Sequence, residues 1–125
     1  MNYSYIRTGA IFAGLAVLLG AFGAHTLKEQ LAPEQLQVFE TGVRYQFYHA
    51  IAIILCGILA VKFNVRPSFL LFCGGIVLFS FSLYILSCRQ ILGIESWTWL
   101  GPVTPLGGLL FIAGWGMMIV NVKMR

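Results

Sequence analysis

Two histidines, His25 and His49, are the side chains best suited to exchange a proton near neutral pH. His49 stands at the head of an apolar run, with polar company at helical spacing. Tyr45 lies four residues before it and Gln46 three, so both share its side of a helix. Arg44 comes just before Tyr45, and Glu40 precedes Arg44 by four residues, the spacing of a helical ion pair. Ser80, Tyr84 and Ser87 make a second polar stripe, closed by Arg89, and Thr104 sits beside Pro102 and Pro105. A neutral imidazole offers one donor and one acceptor, which suits ligand binding or proton shuttling. His25, Arg44, Tyr45, Gln46, His49, Tyr84 and Thr104 therefore form the candidate ligand-binding set. The competing reading is that these groups only anchor the chain in an interface or satisfy one another.

The elements that must position them are apolar. Of 125 residues, 59% are hydrophobic and 10% are charged, and the mean hydropathy is +0.87. A soluble domain carries about 25% charged residues, so lipid must cover much of this surface. A spanning helix needs roughly 20 mostly apolar residues. Four such runs follow in order, from about Ile6 to Ala24, Tyr45 to Val61, Pro67 to Cys88 and Gly101 to Val122. The expectation is an all-α integral membrane protein forming a single four-helix domain. The first run follows Arg7 and ends in small residues, but it reads as a retained helix rather than a cleaved signal. Between the first two runs, Pro33 with Glu34 marks a helix start, and Leu36, Phe39, Val43 and Phe47 recur at steps of three and four. This predicts a short amphipathic helix over about 33–43, lying in the membrane interface, with Gly42 as the bend before the second span.

Orientation follows from basic residues near the span ends. Arg7, Lys62, Arg66, Lys123 and Arg125 fall on one side, and Lys28, Arg44 and Arg89 on the other. The excess predicts that both termini are cytoplasmic. His25, His49 and most strong polar groups then belong to the outer third, where inward-facing stripes would make a small polar pocket. Small residues in the first span (Ala16, Gly20 and Ala24 at four-residue steps) and the glycines of the third and fourth allow helices to approach closely. Packing within one chain is the expected use, and a seam between copies is the alternative. Trp97 and Trp99 suit the aromatic belt at the membrane surface.

Other chemistries lack their residues. The cationic side chains are scattered singly, so no nucleic-acid partner is expected. The three cysteines form no CxxC pair and suit small buried side chains. No acidic or basic group falls mid-span, which removes the usual coupling group of an ion-driven pump. GxSxG, HExxH and glycine-rich phosphate-loop motifs are missing, and two histidines without a spaced acid make a weak metal site. No metal or cofactor is expected.

Several segments carry a family resemblance. Gly20-Ala21-Phe22-Gly23-Ala24-His25, the run from Thr41 to Ala50, Phe81-Ser82-Leu83-Tyr84, and Thr104-Pro105-Leu106-Gly107-Gly108 with Gly114-Trp115 resemble the YgdD/YwdK family. These are small bacterial inner-membrane proteins of unknown function, with eukaryotic relatives. The resemblance covers essentially the whole chain and implies a four-helix inner-membrane protein, without an activity or a catalytic residue. Gly42 departs from it, standing where Ala is expected. Three functions follow as expectations. The first is a non-enzymatic membrane protein whose outer pocket takes a small ligand or lipid headgroup, working alone, as a homo-oligomer or as an accessory to a larger membrane complex. The second is a component of an oligomeric transporter or channel. The third is a membrane-embedded enzyme with a histidine base.

Overall fold

The computed structural model describes residues 1–123. Four long helices carry the fold: α1 (Tyr3–Gln30), α2 (Pro33–Leu59), α3 (Arg66–Ser87) and, after the single turn α4 (Arg89–Leu92), α5 (Leu100–Asn121). All four are long and apolar enough to cross a membrane. At 1.5 Å per residue α3 and α5 are about 33 Å long, close to the roughly 30 Å hydrocarbon core, whereas α1 and α2 reach about 40 Å. The excess lies at the α1–α2 turn, where His25, Lys28, Glu29 and Glu34 are exposed. Outward faces are apolar: Ile119 is 77% exposed, Ile112 69% and Leu18 67%, as side chains against lipid should be.

The first connection departs from the sequence expectation. Helix α1 continues past Ala24 through a π-helical turn, Gly23–Leu27, and on to Gln30. Only Leu31 and Ala32 separate it from α2. The segment 33–43 is helical, but it is no separate element. It forms the first three turns of α2 and runs unbroken into the second span. Gly42 is not a bend: a Cβ there would stand 2.7 Å from the Tyr84 ring and 3.1 Å from the Ser80 carbonyl oxygen. It is a close-packing point between α2 and α3. An Ala at this position would drive Tyr84 aside in this chain.

Helix α2 is the hub, with 44% of its most apolar stretch buried inside the bundle, against 17% for α1 and for α5. Helix α1 runs antiparallel along it and approaches through Gly9, Ala16 and Gly23 on one side and Gly57 on the other. A Cβ on Gly9 would lie 2.7 Å from the Ala50 carbonyl oxygen, and one on Gly57 would lie 2.9 Å from that of Asn2. Ala24, expected in this seam, is exposed. Helices α3 and α5 pack equally closely. There a second π-helical turn, Ile76–Ser80, receives Gly107 against the backbone of Leu78 and Phe79. The core lies among α2, α3 and α5, around Ile53, Cys56, Phe72, Ile76 and Phe111. Cys56 is part of it, and all three cysteines are unpaired.

Candidate functional site

The polar residues hold the helices together in three separate clamps. Gln46, fully buried, is the centre of the first. Its Nε2 donates to the Phe12 carbonyl of α1 at 2.8 Å, and its Oε1 accepts from the Tyr84 hydroxyl of α3 at 2.6 Å. One side chain thus ties three spans. The second clamp is His49, 5% exposed. The Trp115 indole N–H of α5 points at Nε2 from 3.1 Å. Indole only donates, so Nε2 must be bare and Nδ1 must carry the proton. Nδ1 then donates to the Tyr45 carbonyl one turn back, 2.7 Å away. The ring stacks on Phe111 with centroids 3.6 Å apart and planes at 10°. The third clamp joins α3 to α5: the hydroxyls of Ser82 and Thr104 are 2.6 Å apart, and Ser82 donates to the Phe79 carbonyl.

These clamps do not meet in one outer pocket. His49 is the seventeenth residue of α2, about 24 Å from its start. It lies level with Phe72 and Trp115, in the half of the bundle nearer the termini. The sequence expectation put it at the head of the second apolar run, in the outer third, and so too near the surface; the helix begins at Pro33. Tyr45 reaches His49 through its main-chain oxygen, while its ring packs 4.8 Å from Phe79. Gln46 turns to Phe12 and Tyr84 instead of His49. His25 and Arg44 are exposed and join none of the three clamps. Trp115 was missed as a partner. Its signal was the one indole inside a span, whose N–H needs an acceptor wherever water is absent.

What remains open lies along the α1–α2 seam. A cavity of about 320 Å³ is lined by Val17 and Gly20 of α1 and by Val43, Arg44, Phe47 and Tyr48 of α2. A second of about 230 Å³ adjoins it, sharing Gly20, Val43 and Arg44 and adding Phe39 and Glu40. The first is apolar throughout, with Arg44 lining it through its carbon stem, and the second adds the acid Glu40 beside Arg44. Their level is set by Gly42, which abuts Tyr84 one turn from the end of α3. The charged end therefore falls where the short spans leave the hydrocarbon. Among the described residues no three His, Cys, Asp or Glu side chains come together to hold a metal ion.

Four antiparallel apolar helices, buttoned by interhelical hydrogen bonds and each long and apolar enough to cross a membrane, define an integral membrane protein of four spans. The chain belongs to the family described as "protein of unknown function (DUF423)", whose model matches residues 19–108. It is 48% identical over 120 residues to the UPF0382 membrane protein YwdK of Bacillus subtilis, covering 93% of each chain. It is 42% identical to the UPF0382 membrane protein SH2409 of Staphylococcus haemolyticus, over 94% of this chain and 93% of that one. A Staphylococcus aureus relative, SAB0533, is also 42% identical, over 93% and 92%. No solved structure matches. The family is uncharacterised and carries no activity to transfer.

Proposed function

We propose that this protein is a non-catalytic phospholipid-binding protein of the bacterial inner membrane, with both termini in the cytoplasm. The groove between α1 and α2 carries the reading. Val17, Gly20, Val43, Phe47 and Tyr48 offer an acyl chain an apolar wall, and Arg44 with Glu40 stands at its head. A cation and an acid four residues apart, both exposed, complement the phosphate and ammonium of phosphatidylethanolamine. An anionic headgroup would meet repulsion from Glu40, and a neutral one would leave both charges unused. His49 has both ring nitrogens engaged, so it has no lone pair left to act as a base. Orientation rests on the five basic residues at the terminal side against three at the other.

Native mass spectrometry of the purified protein with added phosphatidylethanolamine tests the site. The wild type should retain one lipid. Arg44→Gln should weaken retention about tenfold, the worth of one charge-assisted hydrogen bond. Equal retention by wild type and Arg44→Gln would reject the groove.

A further inference from the structure

The opposite end of the bundle carries a different charge pattern. There the start of α1, the turn 60–65 and the start of α3 enclose a cup of about 470 Å³, lined by Asn2, Tyr5, Lys62, Phe63, Asn64 and Arg66. The cup is built rather than incidental. Asn2 N–H donates to the Gly57 carbonyl at 2.9 Å, pinning the chain start over the end of α2. The Tyr5 ring stacks on Phe69 of α3 with centroids 3.7 Å apart. Lys62 and Phe63 N–H groups both donate to the Leu59 carbonyl at 3.0 Å, fixing the turn.

Its chemistry is one-sided. Lys62 and Arg66 are cations, and the Lys62 ammonium is held 5.7 Å over the Phe63 ring. The Asn2 side-chain oxygen is taken by Tyr5 N–H, so what Asn2 has left to offer is its two N–H donors. Helix α3 starts here without a side-chain cap, so its first N–H groups add positive potential. None of the four acidic side chains is near: Glu29, Glu34, Glu40 and Glu95 all belong to the other end. The cup lies where three spans leave the hydrocarbon, at headgroup depth.

We infer that this cup binds the phosphate of an anionic phospholipid, such as phosphatidylglycerol, in the leaflet on the side of the termini. A zwitterionic headgroup would bring an ammonium against Lys62 and Arg66 with no acidic side chain to receive it. The site is independent of the Arg44 groove and opposite to it in preference, so either can fail alone.

The test is native mass spectrometry of the full chain with phosphatidylglycerol, phosphatidylcholine and free glycerol 3-phosphate as separate probes. In the Arg44→Gln background, where the zwitterion-binding groove is weakened, the chain should retain phosphatidylglycerol about tenfold better than phosphatidylcholine, and adding the double variant Lys62→Gln/Arg66→Gln should remove that preference. Circular dichroism of the variant should stay native, since both side chains are exposed. Adding Arg7→Gln to the same background instead removes an exposed cation from the same end but outside the cup. It should keep the preference. Equal loss in Arg7→Gln would mean a diffuse surface potential and would overturn the cup. Unchanged preference in the double variant would overturn it too, as would glycerol 3-phosphate binding as tightly as the lipid.

Discussion

Gly107 offers the sharpest test of how α3 and α5 meet. A Cβ added there would stand 2.7 Å from the Leu78 carbonyl carbon and from the Phe79 Cα. Carbon atoms rest at about 3.5–4.0 Å, so Gly107→Ala requires the helices to part by roughly 1 Å. The obstacle is main chain within the π-helical turn, and no side chain can swing away to make room. Overpacking of this kind costs about 1–3 kcal/mol. Gly116, on the same helix, has nothing within 4 Å of its added Cβ. Gly116→Ala should therefore show only the gain of Ala over Gly in a helix, about 0.5–1 kcal/mol. That gain is common to both variants, so their difference isolates packing and should be about 1–3 kcal/mol, with Gly107→Ala the less stable. Reversible unfolding in mixed micelles, followed by circular dichroism, measures it. Equal stability in the two variants would refute the close approach of α3 to α5.

The clamps make further predictions. Tyr84→Phe leaves Gln46 Oε1 without its donor in a fully buried place and should destabilise the fold by about 1–2 kcal/mol in the same assay. Nitrogen NMR of labelled His49 should show a protonated Nδ1 and a bare Nε2. Trp115→Phe should shift the Nε2 resonance, and a proton found on Nε2 in the wild type would contradict the Trp115 bond. Cysteine labelling from outside intact cells should reach Ser96→Cys and spare Asn64→Cys. The reverse pattern would invert the proposed topology.

The four spans were legible because each is a long apolar run between charged or proline-marked ends. The α1–α2 turn was not, because hydropathy and helicity part company there. Lys28, Glu29 and Gln30 are poor membrane residues but good helix formers, so α1 simply continues out of the apolar zone, and α2 begins at Pro33 well before it re-enters. Treating 33–43 as its own element then misplaced His49 in depth. The side chains that matter to packing were picked out by their cost in lipid, and Gln46, His49, Tyr84 and Thr104 all found partners. Which partners they found was not legible. Trp115 is 66 residues from His49 and Phe12 is 34 from Gln46, so no local spacing rule connects them, and a main-chain carbonyl such as that of Phe12 leaves no mark in a sequence. The groove at Arg44 was likewise hidden, since it depends on how two helix faces diverge beside Gly20.

The central claim is that the buried polar groups hold the fold while Arg44 holds the lipid. Paired measurements of phosphatidylethanolamine retention by native mass spectrometry and of unfolding stability, on Arg44→Gln and His49→Gln, test it directly. Arg44→Gln should lose retention and keep wild-type stability. His49→Gln gives up the stack on Phe111 and disturbs the Trp115 bond; it should lose about 1–3 kcal/mol of stability and keep retention. The opposite result, retention lost with His49 and kept without Arg44, would contradict the account.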